Sequence, residues 1–99
     1  MSLEAITWAF RQSLTPSEKL VLLTLADYAD DENKCWPKQE TLATRTGLKR
    51  PTIALKMKSL ESAGLLTRHK RQYTSDMTFL NIDVTTAIIA NEKPKQKTR

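Results

Sequence analysis

The sequence predicts a mainly α-helical fold that ends in a β-hairpin. Between Thr15 and Gly64, apolar residues recur every three or four positions in three successive segments, which is the period of amphipathic helices. After Leu65 the period changes to two, as in half-buried strands. The chain has 99 residues, so we expect one domain around one core, with little room for a deep catalytic pocket.

The first predicted helix begins at a Thr-Pro-Ser-Glu run. Thr15 is placed to cap the helix, Pro16 fits a position that needs no amide donor, and Glu18 closes a capping box. The residues that follow are apolar around most of the helix and leave a narrow polar strip near Thr24 and Asp27. A helix that is apolar on most sides packs against several neighbours. We therefore expect this helix to be the central one.

A second, short helix is predicted from about Lys38 to Thr46, after an acidic loop over Asp30 to Lys34. Leu42 and Ala43 are expected to face the core. Gly47 follows, and glycine commonly ends a helix where the chain turns through the left-handed conformation.

A third helix is predicted from Arg50 to Ala63, directly after this turn. Ile53, Met57 and Leu60 are spaced by four and three residues, which gives one stripe facing the core. Gly64 is expected to end the helix.

The hairpin is predicted from two strands, Leu65 to Arg71 and Met77 to Val84. In the second strand, Leu80, Ile82 and Val84 alternate with polar residues, which is the half-buried pattern. Residues 72–76 join the two strands.

The end of the chain changes composition. Thr85 to Ala90 is predicted to form a last helical turn. Asn91 to Arg99 is rich in lysine and has no hydrophobic residue, so it is predicted to be a disordered basic tail. The domain is therefore expected to span residues 1–90.

Positive charge is concentrated in one third of the sequence. The whole chain has 16 Lys and Arg against 11 Asp and Glu, a net charge of +5. Residues 1–37 carry three basic and six acidic side chains, a net of −3, whereas residues 49–73 carry seven basic ones against Glu61, a net of +6. Such clustering is expected of a nucleic-acid-binding face, although a solvated face without a partner gives the same pattern.

The residue types argue against an enzyme, a metal centre and a membrane protein. Cys35 and His69 are the only cysteine and histidine, so the chain cannot assemble an internal disulfide or a zinc site. No nucleotide-binding glycine loop, Ser/His/Asp set or carboxylate pair is recognisable. The longest apolar stretch, Leu20 to Ala26, is too short to span a bilayer, and Met1 to Trp8 lacks the pattern of a secretion signal. We expect a cytoplasmic location, no cofactor and no small-molecule substrate.

Two short helices joined by a glycine turn and followed by a hairpin make a helix-turn-helix with a wing. The major groove of DNA admits one α-helix, here the helix over Arg50 to Ala63. The N-termini of both helices favour phosphates, because amide donors and the helix dipole are directed there. The predicted fold class is therefore a winged helix-turn-helix, with a three-helix core plus a wing, and the predicted partner is double-stranded DNA.

Two stretches resemble a known family. The run WPKQETLATRTGLKRPTIALKMKSLESAGLLTR, Trp36 to Arg68, resembles the winged-helix family found at the N-terminus of plasmid and phage replication initiation proteins. The usual pattern of that family is similar to cWPSqetLAertGvsrrTvqraiksLeeaGli. The run PSEKLVLLTLADYAD, Pro16 to Asp30, resembles the first helix of the family. The resemblance covers about Ile6 to Val84 and implies DNA binding at a replication origin or an operator.

The sequence departs from that pattern in the helix expected to enter the groove. Lys49 replaces a small capping Ser, Arg50-Pro51 replaces paired arginines, and Leu55 stands where a polar residue is usual. At about 100° per residue from Ile53, Leu55 points outward. Three interpretations stay open for it: contact with thymine methyl groups, an isolated surface leucine, or a face that binds protein.

Eleven residues are predicted to contact DNA. Thr52 and Lys58 are the candidates for reading base edges, together with Leu55 if it meets thymine methyls. The residues predicted to contact phosphates near the two helix N-termini are Lys38, Gln39, Lys49 and Arg50. The residues predicted to reach DNA from the wing are Arg68, Lys70, Arg71 and Tyr73.

Three functions are consistent with this interface. The first is the DNA-binding module of a replication initiator, and the second is a free-standing transcriptional repressor. The third is a winged helix used as a protein adaptor, which the apolar Leu55 keeps open. A second copy of the chain or a replication protein is the further partner we consider, and no membrane partner is expected.

The other aromatic and imidazole side chains are predicted to be structural. Trp8, Trp36 and Phe79 are expected in the core or at its edge. Tyr28 lies on the most apolar helix and is expected in the core. His69 is expected on the surface of the first strand, without a role as a pH sensor or ligand.

Overall fold

A computed structural model describes residues 2–74 and 76–84, which form helices and one antiparallel sheet. The helices are α1 (Leu3–Arg11), α2 (Pro16–Tyr28), α3 (Gln39–Thr46) and α4 (Arg50–Ser62). The strands are β1 (Lys34–Cys35), β2 (Leu66–His69) and β3 (Met77–Leu80). The architecture is the predicted winged helix-turn-helix, with α2, α3 and α4 as its three-helix core and β2–β3 as its wing. The helical turn predicted over Thr85 to Ala90 and the tail predicted over Asn91 to Arg99 lie outside the described residues.

A helix that the sequence did not predict, α1, precedes this core. The Ser2 hydroxyl caps it by accepting a hydrogen bond from the Ala5 N–H at 3.1 Å. Ala5 and Ala9 are fully buried where α1 packs against α2. The buried residues Ala5, Trp8 and Ala9 form a stripe with helical spacing, but the exposed Leu3 and Phe10 add apolar residues outside it and weaken the contrast in the sequence.

The central helix is α2, as predicted. Its capping box is formed by two hydrogen bonds, from the Glu18 N–H to the Thr15 hydroxyl at 3.4 Å and from the Thr15 N–H to the Glu18 carboxylate at 3.2 Å. The other three helices and β1 all pack against α2. Its fully buried residues are Val21, Leu22, Leu25 and Ala26. Thr24 is also buried, and its hydroxyl group donates a hydrogen bond to the Leu20 carbonyl at 2.8 Å.

The helix-turn-helix forms close to its predicted bounds. α3 begins at Gln39, one residue later than predicted, and α4 ends at Ser62, one residue earlier. Gly47 has a φ of 80°, the left-handed conformation expected after a helix. The predicted core stripe of α4 is confirmed as buried and consists of Ile53, Met57 and Leu60.

A short strand, β1, occurs where the sequence predicted only a loop over Asp30 to Lys34. The Asp30 carboxylate accepts hydrogen bonds from the N–H groups of Glu32 and Lys34, at 2.8 and 3.0 Å. Asn33 takes a left-handed φ of 65°, which asparagine tolerates better than most residues. This turn directs the chain back along β3, and the resulting sheet has the order β1-β3-β2.

The two hairpin strands are shorter than predicted, since β2 covers only Leu66–His69 and β3 only Met77–Leu80. After β3 the chain leaves the sheet, yet Ile82 and Val84 still pack against the core. The Val84 carbonyl accepts a hydrogen bond from the Trp8 indole N–H at 2.6 Å. The predicted burial of these two residues is therefore right, although it is achieved outside the strand.

The aromatic side chains are distributed differently from the prediction. Trp8 is buried, as expected. Trp36 is 43% exposed and belongs neither to the core nor to the residues packed against it, so its predicted place in the core or at its edge is wrong. The half-buried Phe79, for which the prediction was the same, also lies outside both groups. Tyr28 packs against the edge of the core rather than within it, and its hydroxyl accepts a hydrogen bond from Arg45.

We predict that Leu60→Ala lowers the free energy of unfolding by about 2–5 kcal/mol, because it leaves a cavity at a fully buried position of α4. Leu55→Ala is the matched control, since it makes the same change at a position of α4 that is 66% exposed. Urea denaturation of both variants measures the difference. Equal stabilities for the two variants would contradict the packing of α4.

Candidate nucleic-acid interface

The turn between α3 and α4 is held by hydrogen bonds among neighbouring residues. The Gly47 N–H donates to the Ala43 carbonyl at 2.9 Å. The Thr46 hydroxyl donates to the Leu42 carbonyl at 2.7 Å and accepts from the Leu48 N–H at 3.1 Å. Leu48 also packs against the core. These contacts fix the direction of the chain after α3, and therefore the position of the N-terminus of α4.

The N-termini of α3 and α4 have no side-chain caps, unlike those of α1 and α2. Lys38 and Lys49 occupy the two N-cap positions, and neither side chain accepts a hydrogen bond from its helix. Ser2 and Thr15 do cap α1 and α2. A helix N-terminus presents N–H donors and a partial positive charge, and here a lysine stands beside each. Both ends therefore suit an anion such as phosphate.

The face of α4 opposite its core stripe is exposed, as predicted. Leu55 is 66% exposed, Pro51 and Lys58 are also exposed, and Thr52 is half-buried beside them. The only acidic residue in α4 is Glu61, in its last turns. The first three turns of the helix thus carry cationic and apolar side chains and no acidic residue of their own.

Polar contacts with α2 fix the positions of α3 and α4. The Ser59 hydroxyl on α4 donates to the Glu18 carboxylate at the start of α2. This hydrogen bond lowers the pKa of Glu18, and the partial burial of the carboxylate opposes the shift. Near the other end of α2, Arg45 of α3 donates to Asp27 at 2.9 Å and to the Tyr28 hydroxyl at 3.0 Å.

Arg68, predicted to reach DNA from the wing, ties the wing to α4. Its guanidinium donates to the Glu61 carboxylate at 3.1 and 3.3 Å. In the sheet, Arg68 pairs with the buried Thr78, which places both on the side that faces the helices. Part of the charge of Arg68 is therefore balanced within the protein.

The other wing candidates lie towards the tip of the hairpin. The guanidinium carbon of Arg71 lies 5.8 Å from the centre of the Trp36 ring, within the range of a cation–π contact. Lys70 is exposed. Tyr73 is 96% exposed and has a φ of 68°, a left-handed conformation that bulky residues rarely adopt. His69 is exposed on β2, as predicted.

A groove of about 520 Å³ lies between the wing and the first turns of α3 and α4. The buried residues Leu42 and Met57 contribute to its lining. Five of the predicted contact residues line this groove: Lys38, Gln39, Arg50, Arg68 and Tyr73. The remaining six lie outside it: Lys49, Thr52, Leu55, Lys58, Lys70 and Arg71. The structure therefore brings three of the four phosphate candidates and two of the four wing candidates into one groove, and leaves the base-reading candidates on the outer face of α4.

Two acidic residues in the groove were not predicted as part of the site. Glu40 lies in the first turn of α3, and Asp76 lies just before β3. Their positions in the groove depend on how the hairpin folds towards α3, so no local sequence signal could have identified them. Both carboxylates repel anions. A phosphate is therefore bound most favourably in the parts of the groove nearest Lys38 and Arg50.

Other kinds of site find little support. Over residues 2–74 and 76–84, no group of three or more Asp, Glu, His or Cys side chains is placed to hold a metal ion. None of the helices in these ranges has the length and apolarity needed to cross a membrane. Cys35 is 1% exposed, and burial raises the pKa of its thiol to about 12, so the thiol is protonated and unreactive at neutral pH.

Comparison with known proteins gives matches to this region of the chain. Residues 12–66, from before α2 to the start of β2, match the family described as a helix-turn-helix domain. Protein YmfN of Escherichia coli (strain K12) is 38% identical over 56 residues, which are 57% of this chain and 12% of YmfN. The chain therefore corresponds to a small part of that relative.

A solved structure has a similar fold over nearly the whole chain. It is the N-terminal domain of a DNA binding protein, and it aligns with a TM-score of 0.60 and 21% sequence identity. The alignment covers 93% of this chain and 85% of that one. At this low identity the match supports the fold rather than any particular contact residue.

We predict that Glu18→Gln destabilises the protein at pH 7, by about 0.5–1.5 kcal/mol, because it weakens the charge-assisted hydrogen bond from Ser59. The pKa of Glu18 is lowered from its usual 4.5, so this stabilisation is complete well above that pH and is lost as the pH falls through the folded-state pKa. Thermal melts between pH 7 and pH 3 measure the effect. Glu4→Gln, at an exposed position of α1, is the control. A difference between Glu18→Gln and parent that does not shrink in acid would contradict the contact.

Proposed function

Because this chain belongs to the helix-turn-helix domain family, we propose that it binds double-stranded DNA, with α4 in the major groove and the wing beside it. The observation that carries the proposal is the outer face of α4, where Leu55 and Lys58 are exposed and the first three turns contain no acidic residue of their own. The major groove is wide enough for one such helix. The DNA binding protein whose N-terminal domain shares the fold supports the same proposal.

The uncapped ends of α3 and α4 supply the phosphate contacts in this proposal. They lie at the start of two consecutive helices, with Lys38, Lys49 and Arg50 beside them. Phosphate contacts fix the register of a protein on the duplex, whereas side chains in the groove read the bases. Thr52, Leu55 and Lys58 are the proposed readers.

The biological setting that we propose is recognition of an origin or operator in a plasmid or phage replication system. It is supported by the resemblance of Trp36 to Arg68 to the N-termini of replication initiation proteins. In YmfN the matching stretch is 12% of the protein, which favours a module of a longer chain over a free-standing repressor. A footprint on the source genome tests the setting, since protection over a promoter alone would favour the repressor.

Duplex binding itself is tested by gel retardation over a range of salt concentrations. Binding through several phosphates weakens steeply as salt rises, because counterions are released from the DNA. Failure to retard any duplex at low salt would overturn the proposal and favour the protein adaptor.

We predict that Arg50→Ala weakens binding to all duplex sequences about equally and reduces the salt slope by about one unit, as the loss of one phosphate contact does. Arg11→Ala is the matched control, since it removes the same charge from the exposed end of α1. Titrations at several salt concentrations compare the two. Loss of discrimination at a single base pair would instead identify Arg50 as a reader.

We predict that Leu55→Ala weakens binding to the specific site by about 1–3 kcal/mol and leaves binding to scrambled duplexes almost unchanged, because an apolar contact with thymine methyls depends on sequence. Leu3→Ala alters a similarly exposed leucine on α1 and serves as the control. Retained DNA affinity with a loss of self-association in sedimentation would assign Leu55 to a protein interface. No change in either measurement would leave Thr52 and Lys58 as the readers.

A further inference from the structure

The sheet has two faces, and the strand register separates them. Cys35 pairs with Thr78, which pairs in turn with Arg68 on the other side. Cys35 and Thr78 are 1% and 3% exposed, so this row faces the helices. Because side chains alternate along a strand, the rows on either side of it face outward. One outward row contains Lys34, Phe79 and Thr67. The other contains Met77 and His69, with Trp36 next in line after β1.

This outer sheet face, defined by Trp36, Met77 and Phe79, is hydrophobic but does not belong to the core. Trp36 is 43% exposed, and the other two side chains are partly exposed. None of the three belongs to the packed core or to the partly buried residues around it. Trp36 follows β1 directly, one residue after the Cys35–Thr78 pair, and Phe79 pairs with Lys34, one residue before it. Two partly exposed aromatic side chains therefore lie on the outward side of the described sheet, two residues apart along the register of β1.

The charge around the outer sheet face is positive at the end that carries Trp36. The Arg71 guanidinium lies over the Trp36 ring, with its central carbon 5.8 Å from the ring centre. Near the opposite end, Lys34 is paired with Glu32 at 3.1 Å, so these two charges offset each other. Aromatic rings bordered by cations suit a ligand that has both flat apolar groups and negative charge.

We propose that the outer sheet face binds single-stranded DNA, with unpaired bases stacked on Trp36 and Phe79 and a phosphate near Arg71. Stacking on aromatic side chains together with cations along the backbone is the general way in which proteins hold single strands. In a duplex the faces of the bases are stacked and inaccessible, so a single strand is a different ligand from the duplex proposed for α4. The helix α4 lies on the other side of the sheet. The proposal goes beyond duplex binding and does not depend on it.

The test uses the full chain and a fluorescein-labelled oligo(dT) of about 12 nucleotides, with fluorescence anisotropy as the measurement. Trp36→Leu keeps an apolar side chain but removes the ring, and Trp36→Phe keeps a ring. We expect Trp36→Leu to weaken oligo(dT) binding roughly 5- to 150-fold, the usual effect of losing one stacked base. Trp36→Phe should retain most of the affinity, and both variants should bind a labelled duplex as the parent does.

A second measurement identifies stacking directly. An oligonucleotide that carries 2-aminopurine should lose fluorescence when its base stacks on the ring, with the parent and Trp36→Phe but not with Trp36→Leu. Thermal melts confirm that each variant is folded. If Trp36→Leu fails to fold, Phe79→Leu provides the comparison, because it removes the second ring of the outer sheet face and should weaken oligo(dT) binding without changing duplex binding.

Three outcomes would overturn the proposal. The parent could fail to bind oligo(dT), the variants could weaken oligo(dT) and duplex equally, or Trp36→Leu could change only the sedimentation of the protein. The last result would identify the outer sheet face as a contact between copies of the chain. A parent protein that binds oligo(dT) but no duplex would overturn the proposed function and leave this inference standing.

Discussion

The other three helices and β1 all pack against α2, whose Val21, Leu22 and Leu25 are fully buried. Each side chain of this size contributes about 1.5–3 kcal/mol when it is removed from water, so this one helix supplies much of the driving force for folding. Polar groups near the two ends of α2 then set orientation. Glu18 holds α4 and Asp27 holds α3, so the helix-turn-helix is attached to the core at two points.

The elements that could be predicted from the sequence are those with local signals. The capping box at Thr15 and the left-handed Gly47 each depend on a few neighbouring residues, and both are present. β1 is different, because its two residues become a strand only by pairing with β3, which is distant in sequence. α1 does carry a local signal, because its buried Ala5, Trp8 and Ala9 have helical spacing, but small alanines and the exposed Leu3 and Phe10 make that signal weak.

The candidate site also contains residues whose positions follow from a local pattern and residues whose contacts depend on distant parts of the chain. Counting about 100° per residue from Ile53 predicted that Leu55 points outward, and it does. The partners of the wing arginines could not be found in this way. Arg68 reaches Glu61 on α4, and Arg71 lies over Trp36 at the far edge of the sheet. The first contact depends on how the hairpin packs against α4, and the second depends on how the strands pair in the sheet. No local sequence period encodes either arrangement.

The lysines at the N-caps of α3 and α4 have a thermodynamic consequence. A Ser, Thr, Asp or Asn cap contributes about 0.5–2 kcal/mol, so these two helices form without a stabilisation that α1 and α2 possess. An anion that accepts hydrogen bonds there and binds only the folded chain raises the free energy of unfolding in proportion to the logarithm of its concentration. Folding and ligand occupancy are linked equilibria in such a chain. The buffer anion and ionic strength therefore become part of any statement about its intrinsic stability.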